Sequence, residues 1–280
     1  MKTLRNRIPH LLAAVLLLLG VMTAAGAQAQ AAPQRVTAST TVCSNSPIPA
    51  GWVITWSYSS SSCPGTGVAY SITDSTGLTS IGVCSMTPIP PGWVITWSYS
   101  SNSCAGTGVG YTINNTANAT SMSVCSMTPI PPGWVITWSY STNSCVGTGV
   151  GYTINNTANA TSMSVCSMTP IPPGWVITWS YSTNSCIGTG VGYTINNTAN
   201  ASSMSVCSMT PIPPGWVVTW SYSTNSCVGT GVGYTINNTA NLTGADVCSF
   251  SPIPTGWVVT RSYSTNSCVG SGMAYSIRKA

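Results

Sequence analysis

Residues 84–104 read CSMTPIPPGWVITWSYSSNSC. The stretch returns almost letter for letter at Cys125–Cys145, Cys166–Cys186 and Cys207–Cys227, with looser copies at Cys43–Cys63 and Cys248–Cys268. First cysteines recur every 41 residues, and the six copies account for all 12 cysteines, 11 tryptophans and 12 tyrosines. A fixed period of this size marks a repeat architecture. Counted from the residue before each first cysteine, the repeats run 42–82, 83–123, 124–164, 165–205, 206–246 and 247–280. The last of these is expected to act as a C-terminal cap, and residues 28–41 form a linker ahead of the series.

The cysteines alternate between a C-x19-C spacing inside a copy and C-x20-C between copies. Pairing inside each copy uses all 12; pairing across the junctions would strand Cys43 and Cys268. The expected bridges are therefore Cys43–Cys63, Cys84–Cys104, Cys125–Cys145, Cys166–Cys186, Cys207–Cys227 and Cys248–Cys268. Each is worth about 3 kcal/mol in the chain-entropy model. Metal binding would want histidine or C-x2-C spacing, and a redox centre a C-x-x-C pair. Neither motif is present.

Within the third copy, Pro129-Ile130-Pro131-Pro132-Gly133 is a rigid turn, because proline fixes φ and lacks an amide proton. Residues 133–141 then alternate, with Trp134, Ile136, Trp138 and Tyr140 on one face and Val135, Thr137, Ser139 and Ser141 on the other. That is a strand pattern rich in aromatic and β-branched residues. After a Gly/Ser turn, Val150, Tyr152 and Ile154 share one face of a second strand, with Thr153, Asn155 and Thr157 opposite. A third, shorter strand is expected at 162–167, and only the N-terminal segment reads as helix. The fold class is all-β: six 41-residue disulfide-closed units stacked into an elongated rod. A string of independent beads and a six-bladed propeller are the alternative organisations. A single disulfide helps, but a unit this small is marginal alone.

The end copies suggest how the units meet. Two residues after the first cysteine stand Met86, Met127, Met168, Met209 and Phe250, but Asn45 in the first copy. The second tryptophan is Trp56, Trp97, Trp138, Trp179 and Trp220, but Arg261 in the last. End repeats of a stack are expected to carry polar outer faces. The methionine site is accordingly expected to face the preceding unit and the tryptophan site the following one. Met86 would then lie near Trp56, Met127 near Trp97 and Phe250 near Trp220. A propeller, having no ends, gives no reason for the difference.

Residues 1–27 are expected to be a secretory signal peptide of bacterial type. Lys2, Arg5 and Arg7 precede an apolar run, Leu11–Val21, and the small-residue pattern Ala25-Gly26-Ala27. No later run is long enough for a membrane span. The remaining charges are Arg35, Arg261, Arg278 and Lys279 against Asp74 and Asp246, and the single histidine, His10, lies in the signal. Nucleic acid is therefore not an expected partner. Acid–base and nucleophilic catalysis need titratable groups at recurring positions, and the repeats have none. The chain is expected to be no enzyme and to need no cofactor or metal, with Asp74 and Asp246 at unrelated places in their copies.

What remains is surface. Thr112, Asn114, Thr116; Thr153, Asn155, Thr157; Thr194, Asn196, Thr198; and Thr235, Asn237, Thr239 would form a repeated, uncharged hydroxyl-and-amide face. The expected role is an extracellular structural or adhesive module, secreted to the exterior, the periplasm or the cell surface. The alternative is a binder of an extended ligand, ice or polysaccharide, through the Thr/Asn face or an exposed aromatic stripe. The partner would be a glycan or an extracellular surface, and self-association suits such an array.

Overall fold

The computed structural model describes residues 37–280. The expected signal peptide and residues 28–36 of the expected linker lie outside the described residues. Six three-stranded antiparallel sheets follow one another. The first two units contain β1 (Ser39–Cys43), β2 (Trp52–Ser59), β3 (Val68–Asp74), β4 (Ser80–Cys84), β5 (Trp93–Ser100) and β6 (Val109–Asn115). The middle two contain β7 (Ser121–Cys125), β8 (Trp134–Ser141), β9 (Val150–Asn156), β10 (Ser162–Cys166), β11 (Trp175–Ser182) and β12 (Val191–Asn197). The last two contain β13 (Ser203–Cys207), β14 (Trp216–Ser223), β15 (Val232–Asn238), β16 (Gly244–Cys248), β17 (Trp257–Ser264) and β18 (Met273–Lys279). No helix occurs among the described residues.

The third strand of each unit is central, so the sheet of unit three has the order β7-β9-β8. Pairing corrects the sequence frame in one respect. The short strand expected at the end of unit three, β10, pairs with β12 and opens unit four. Likewise β1 begins at Ser39, inside the expected linker, and pairs with β3. Each unit thus starts three residues before the frame set by the cysteines.

Local chemistry explains the connections. The Trp134 amide donates to the Pro131 carbonyl at 3.1 Å, with Gly133 at φ 78°. Proline followed by a positive-φ glycine defines a type II turn, and it starts β8 sharply. The disulfide Cys125–Cys145 then ties the end of β7 to the β8–β9 loop, with Cα atoms 5.4 Å apart. All six bridges have this form, and no cysteine among the described residues is free.

The strand β8 is not a regular alternation. A bulge between Ile136 and Trp138 sets Ile136 opposite Ile154, but Trp138 opposite Thr153. One extra residue on one strand reverses the facing of everything beyond it. Trp134 and Ile136 therefore face inward, whereas Trp138 and Tyr140 face outward with Thr153 and Asn155, and Ser139 turns in. The extra residue, Thr137, places its hydroxyl 2.7 Å from Asn155 Oδ1 and 3.2 Å from the Thr153 carbonyl.

The units are stacked. The outer edge of β8 would be open, but the following unit closes it. Ile136 N–H donates to Thr169 Oγ1 at 2.7 Å, Ser139 N–H to the Ser185 carbonyl at 3.0 Å, and Ser139 Oγ to the Ile187 carbonyl at 3.2 Å. A parallel bridge joins Ser139 to Cys186. Covering an edge in this way satisfies its amides and removes a site of unwanted pairing. The apolar core is shared across junctions too. The cluster around Trp134, Ile136, Ile154 and Val124 takes in Val94 from unit two and Cys166, Cys186 and Met168 from unit four. Units are therefore not independent beads. Among the described residues, strands of different units touch only between sequence neighbours and no strand of unit one touches one of unit six, which is an open array rather than a closed propeller. This is the nearest-neighbour organisation of a solenoid, in which each unit completes its core with parts of the next.

Candidate functional site

The outward faces place a recurring constellation along the array. In unit three the register aligns Ser123, Thr153 and Trp138 across the three strands. The equivalents are Thr41, Ser71 and Trp56; Gly82, Thr112 and Trp97; Ser164, Thr194 and Trp179; and Ser205, Thr235 and Trp220. These five second tryptophans are 52–56% exposed, whereas Trp134, their neighbour four residues earlier, is 4% exposed. A large apolar side chain held half in water at every repeat is the least ordinary feature of the surface.

Each exposed tryptophan is held by a tyrosine. The ring centroids of Trp138 and Tyr140 are 5.8 Å apart at 60°, and the other four pairs lie at 5.4–6.3 Å. Edge-on contact of this kind suits the charge distribution of aromatic rings. Tyr140 in turn lies over β9 at Gly151, where a Cβ would meet its ring at 2.8 Å. The glycine leaves room for the tyrosine to lie against the backbone, which fixes the direction of its partner. Unit six ends the row differently. Arg261 takes the tryptophan position, 5.4 Å from the Tyr263 ring centroid, and is aligned with Ser276 and Asp246. Ser276 Oγ donates to Asp246 Oδ1 at 2.6 Å. Desolvation, then the Asp246 carboxylate and a hydrogen bond to it, raise the Tyr263 phenol above its usual value, and the Arg261 guanidinium opposes them.

The Thr/Asn face expected from the sequence is only partly a surface. Thr112, Thr153, Thr194 and Thr235, with Asn114, Asn155, Asn196 and Asn237, are half-buried beside the tryptophans. Each of these asparagines accepts from a threonine of the bulge, Thr96, Thr137, Thr178 or Thr219. Thr116, Thr157, Thr198 and Thr239 follow the strand, where alternation no longer applies. They are buried, and their hydroxyls donate to the carbonyls of Gly92, Gly133, Gly174 and Gly215 at 2.8–2.9 Å. The outward face is thus a row of Trp–Tyr pairs bordered by Thr and Asn, not a flat hydroxyl array.

The inter-unit contacts need a similar correction. Met86 packs on the preceding unit with Trp52, Ile54, Ile72 and Tyr70, and Met127 with Trp93, Ile95, Ile113 and Tyr111. Phe250 lies 5.2 Å, ring to ring, from Tyr234. The methionine site does meet the preceding unit, but its partner is the first tryptophan. Trp56, Trp97 and Trp220 point outward instead, because the bulge has turned them. Arg261, expected on a polar end face, instead lies in the outward register opposite Ser276, and Val258 and Val259 of unit six are exposed. Among the described residues no group of three His, Cys, Asp or Glu side chains is placed to hold a metal ion. Compared with protein-family models, with curated proteins and with solved structures, the chain matches none.

Proposed function

We propose that this chain is a secreted, non-catalytic adhesive module that holds neutral polysaccharide along its row of Trp–Tyr pairs. The observation that carries the reading is the five half-exposed tryptophans, each buttressed by a tyrosine and repeated at one register. The apolar C–H faces of sugar rings stack on indole, and bordering Thr and Asn groups offer hydrogen-bond partners to sugar hydroxyls. The row carries no charge before Arg261, which suits a neutral chain better than an acidic one. A pre-ordered platform loses little entropy on binding, and repetition converts weak single contacts into avidity. Six disulfides fit an oxidising, extracytoplasmic compartment. Ice is the weaker ligand, because half-exposed indoles interrupt the Thr/Asn groups and one threonine of each set is buried.

Affinity electrophoresis in gels containing neutral polysaccharides such as β-glucan, xylan or mannan tests this. The chain should be retarded by at least one of them. The triple variant Trp97→Ala, Trp138→Ala, Trp179→Ala should migrate freely while keeping its fold. A wild-type chain retarded by none of a broad neutral panel, or a triple variant retarded equally, would sink the reading.

A further inference from the structure

Every internal junction exchanges the same parts. Unit three gives Val135 to the cluster of unit four, and receives Cys166, Cys186 and Met168 into its own. Among the described residues, the first and last units show only one half of the exchange. The cluster of unit one holds Ile54, Ile72, Cys84 and Cys104 but no valine from a preceding unit. The cluster of unit six holds Val217, Val247 and Ile277 but no disulfide from a following one.

The two open ends carry matching halves. Val258 and Val259 are 40% and 47% exposed, at positions where Val135 and Ile136 are 0% and 2% exposed. Among the described residues nothing covers the outer edge of β17, and Ser262, the equivalent of buried Ser139, is exposed. Unit one presents most of the receiving half: the Cys43–Cys63 bridge, the Ser46 hydroxyl at the position of Thr87, and the carbonyls of Ser62 and Pro64 at the positions of Ser103 and Ala105. It lacks one donor, because the Ala105 amide gives a bond to the Ser57 carbonyl at 3.3 Å and Pro64 has no amide hydrogen. A serine serves there as well as a threonine, since Val218 N–H donates to Ser251 Oγ at 2.8 Å in the last internal junction.

We propose that unit six of one copy docks on unit one of a second copy, continuing the array end to end through a junction of the same form, less the one hydrogen bond that Pro64 cannot donate. The occupant is argued from continuity: five copies of this interface already exist within the chain. The contact is head-to-tail and does not close on itself, so it builds filaments rather than dimers. Asn45 replaces the methionine of the internal junctions, and Pro64 stands where the Ala105 amide bonds across the first of them. Those two mismatches, together with the freedom lost on association, make the end-to-end contact weaker than the internal ones.

Sedimentation velocity on the disulfide-bonded secreted chain, across a concentration series, tests the proposal. The wild type should form a concentration-dependent ladder of species. Val258→Asp, at a position already exposed in the single chain, should remain monomeric with an unchanged circular dichroism spectrum. Ser46→Glu, blocking the other end, should do the same. A mixture of these two variants should form dimers only, because each keeps the half the other lacks. Asn45→Met should tighten association by roughly tenfold, the factor that corresponds to about 1.4 kcal/mol. A wild-type chain that stays monomeric into the millimolar range would overturn the proposal. So would a Val258→Asp chain that still self-associates, an equimolar mixture that stays monomeric, or an Asn45→Met chain no tighter than wild type.

Discussion

Thr169→Val removes one hydroxyl and leaves a side chain of nearly the same shape. In the native array that hydroxyl accepts from the buried Ile136 amide at 2.7 Å across the junction of units three and four. With valine present, the amide has neither partner nor water. Orphaning a buried donor costs about 1–3 kcal/mol, so a loss near 2 kcal/mol is expected. Thr169→Ser keeps the oxygen and loses one methyl, worth about 0.8 kcal/mol. Native-state hydrogen exchange reads the effect locally. Protection of the Ile136 amide should fall in the valine variant far more than in the serine variant. The Ile95 amide, held by Thr128 one junction earlier, should lose less, because coupling in such arrays passes through neighbours. Urea unfolding should show the same order of stability. If the valine variant is as stable as the serine variant, with Ile136 protection unchanged, the junction is not made as described.

Further outcomes follow from the same geometry. Trp134→Ala should cost about 3–5 kcal/mol, as for other buried aromatics, whereas Trp138→Ala, outward and half-exposed, should leave the unfolding midpoint nearly unchanged. Replacing both Cys166 and Cys186 by alanine should destabilise unit three as well as unit four, because that bridge lies in the core cluster of unit three; exchange rates confined to unit four would contradict the shared core. The Tyr263 phenol should titrate above the usual tyrosine value in an alkaline absorbance titration, and Asp246→Asn should lower it. A raised phenol pKa contributes stability below the unfolded value, and this is lost as pH rises through the folded value.

Much of this architecture is legible in the letters. The 41-residue period, the pairing of C-x19-C and the Pro-Gly turn at Pro132-Gly133 each leave a local signal. The bulge at Thr137 does not. WVITWSYS reads as uninterrupted alternation, and a one-residue slip in pairing shows only when β9 is laid beside it. The slip decides the site, because it carries Trp138 and Tyr140 to the face of Thr153 and brings Ser139 in. A hint exists in composition. β9 offers one apolar face of Val150, Tyr152 and Ile154, too small to cover two tryptophans, an isoleucine and a tyrosine on the same side. The assignment of β10 to the following unit was similarly hidden, since strand pairing is a non-local property. The odd residues of the end units pointed correctly to stacking through Met127 and its equivalents. Arg261 misled, because it ends an outward row rather than an end face.

Tryptophan footprinting by limited oxidation, read by peptide mass spectrometry, tests stacking and the outward row in one measurement. Trp56, Trp97, Trp138, Trp179 and Trp220 should oxidise rapidly, and Trp93, Trp134, Trp175 and Trp216 should be protected in the native chain. Equal reactivity of the two tryptophans within each central unit, or protection of the second instead of the first, would contradict the bulged, stacked array and the binding row built on it.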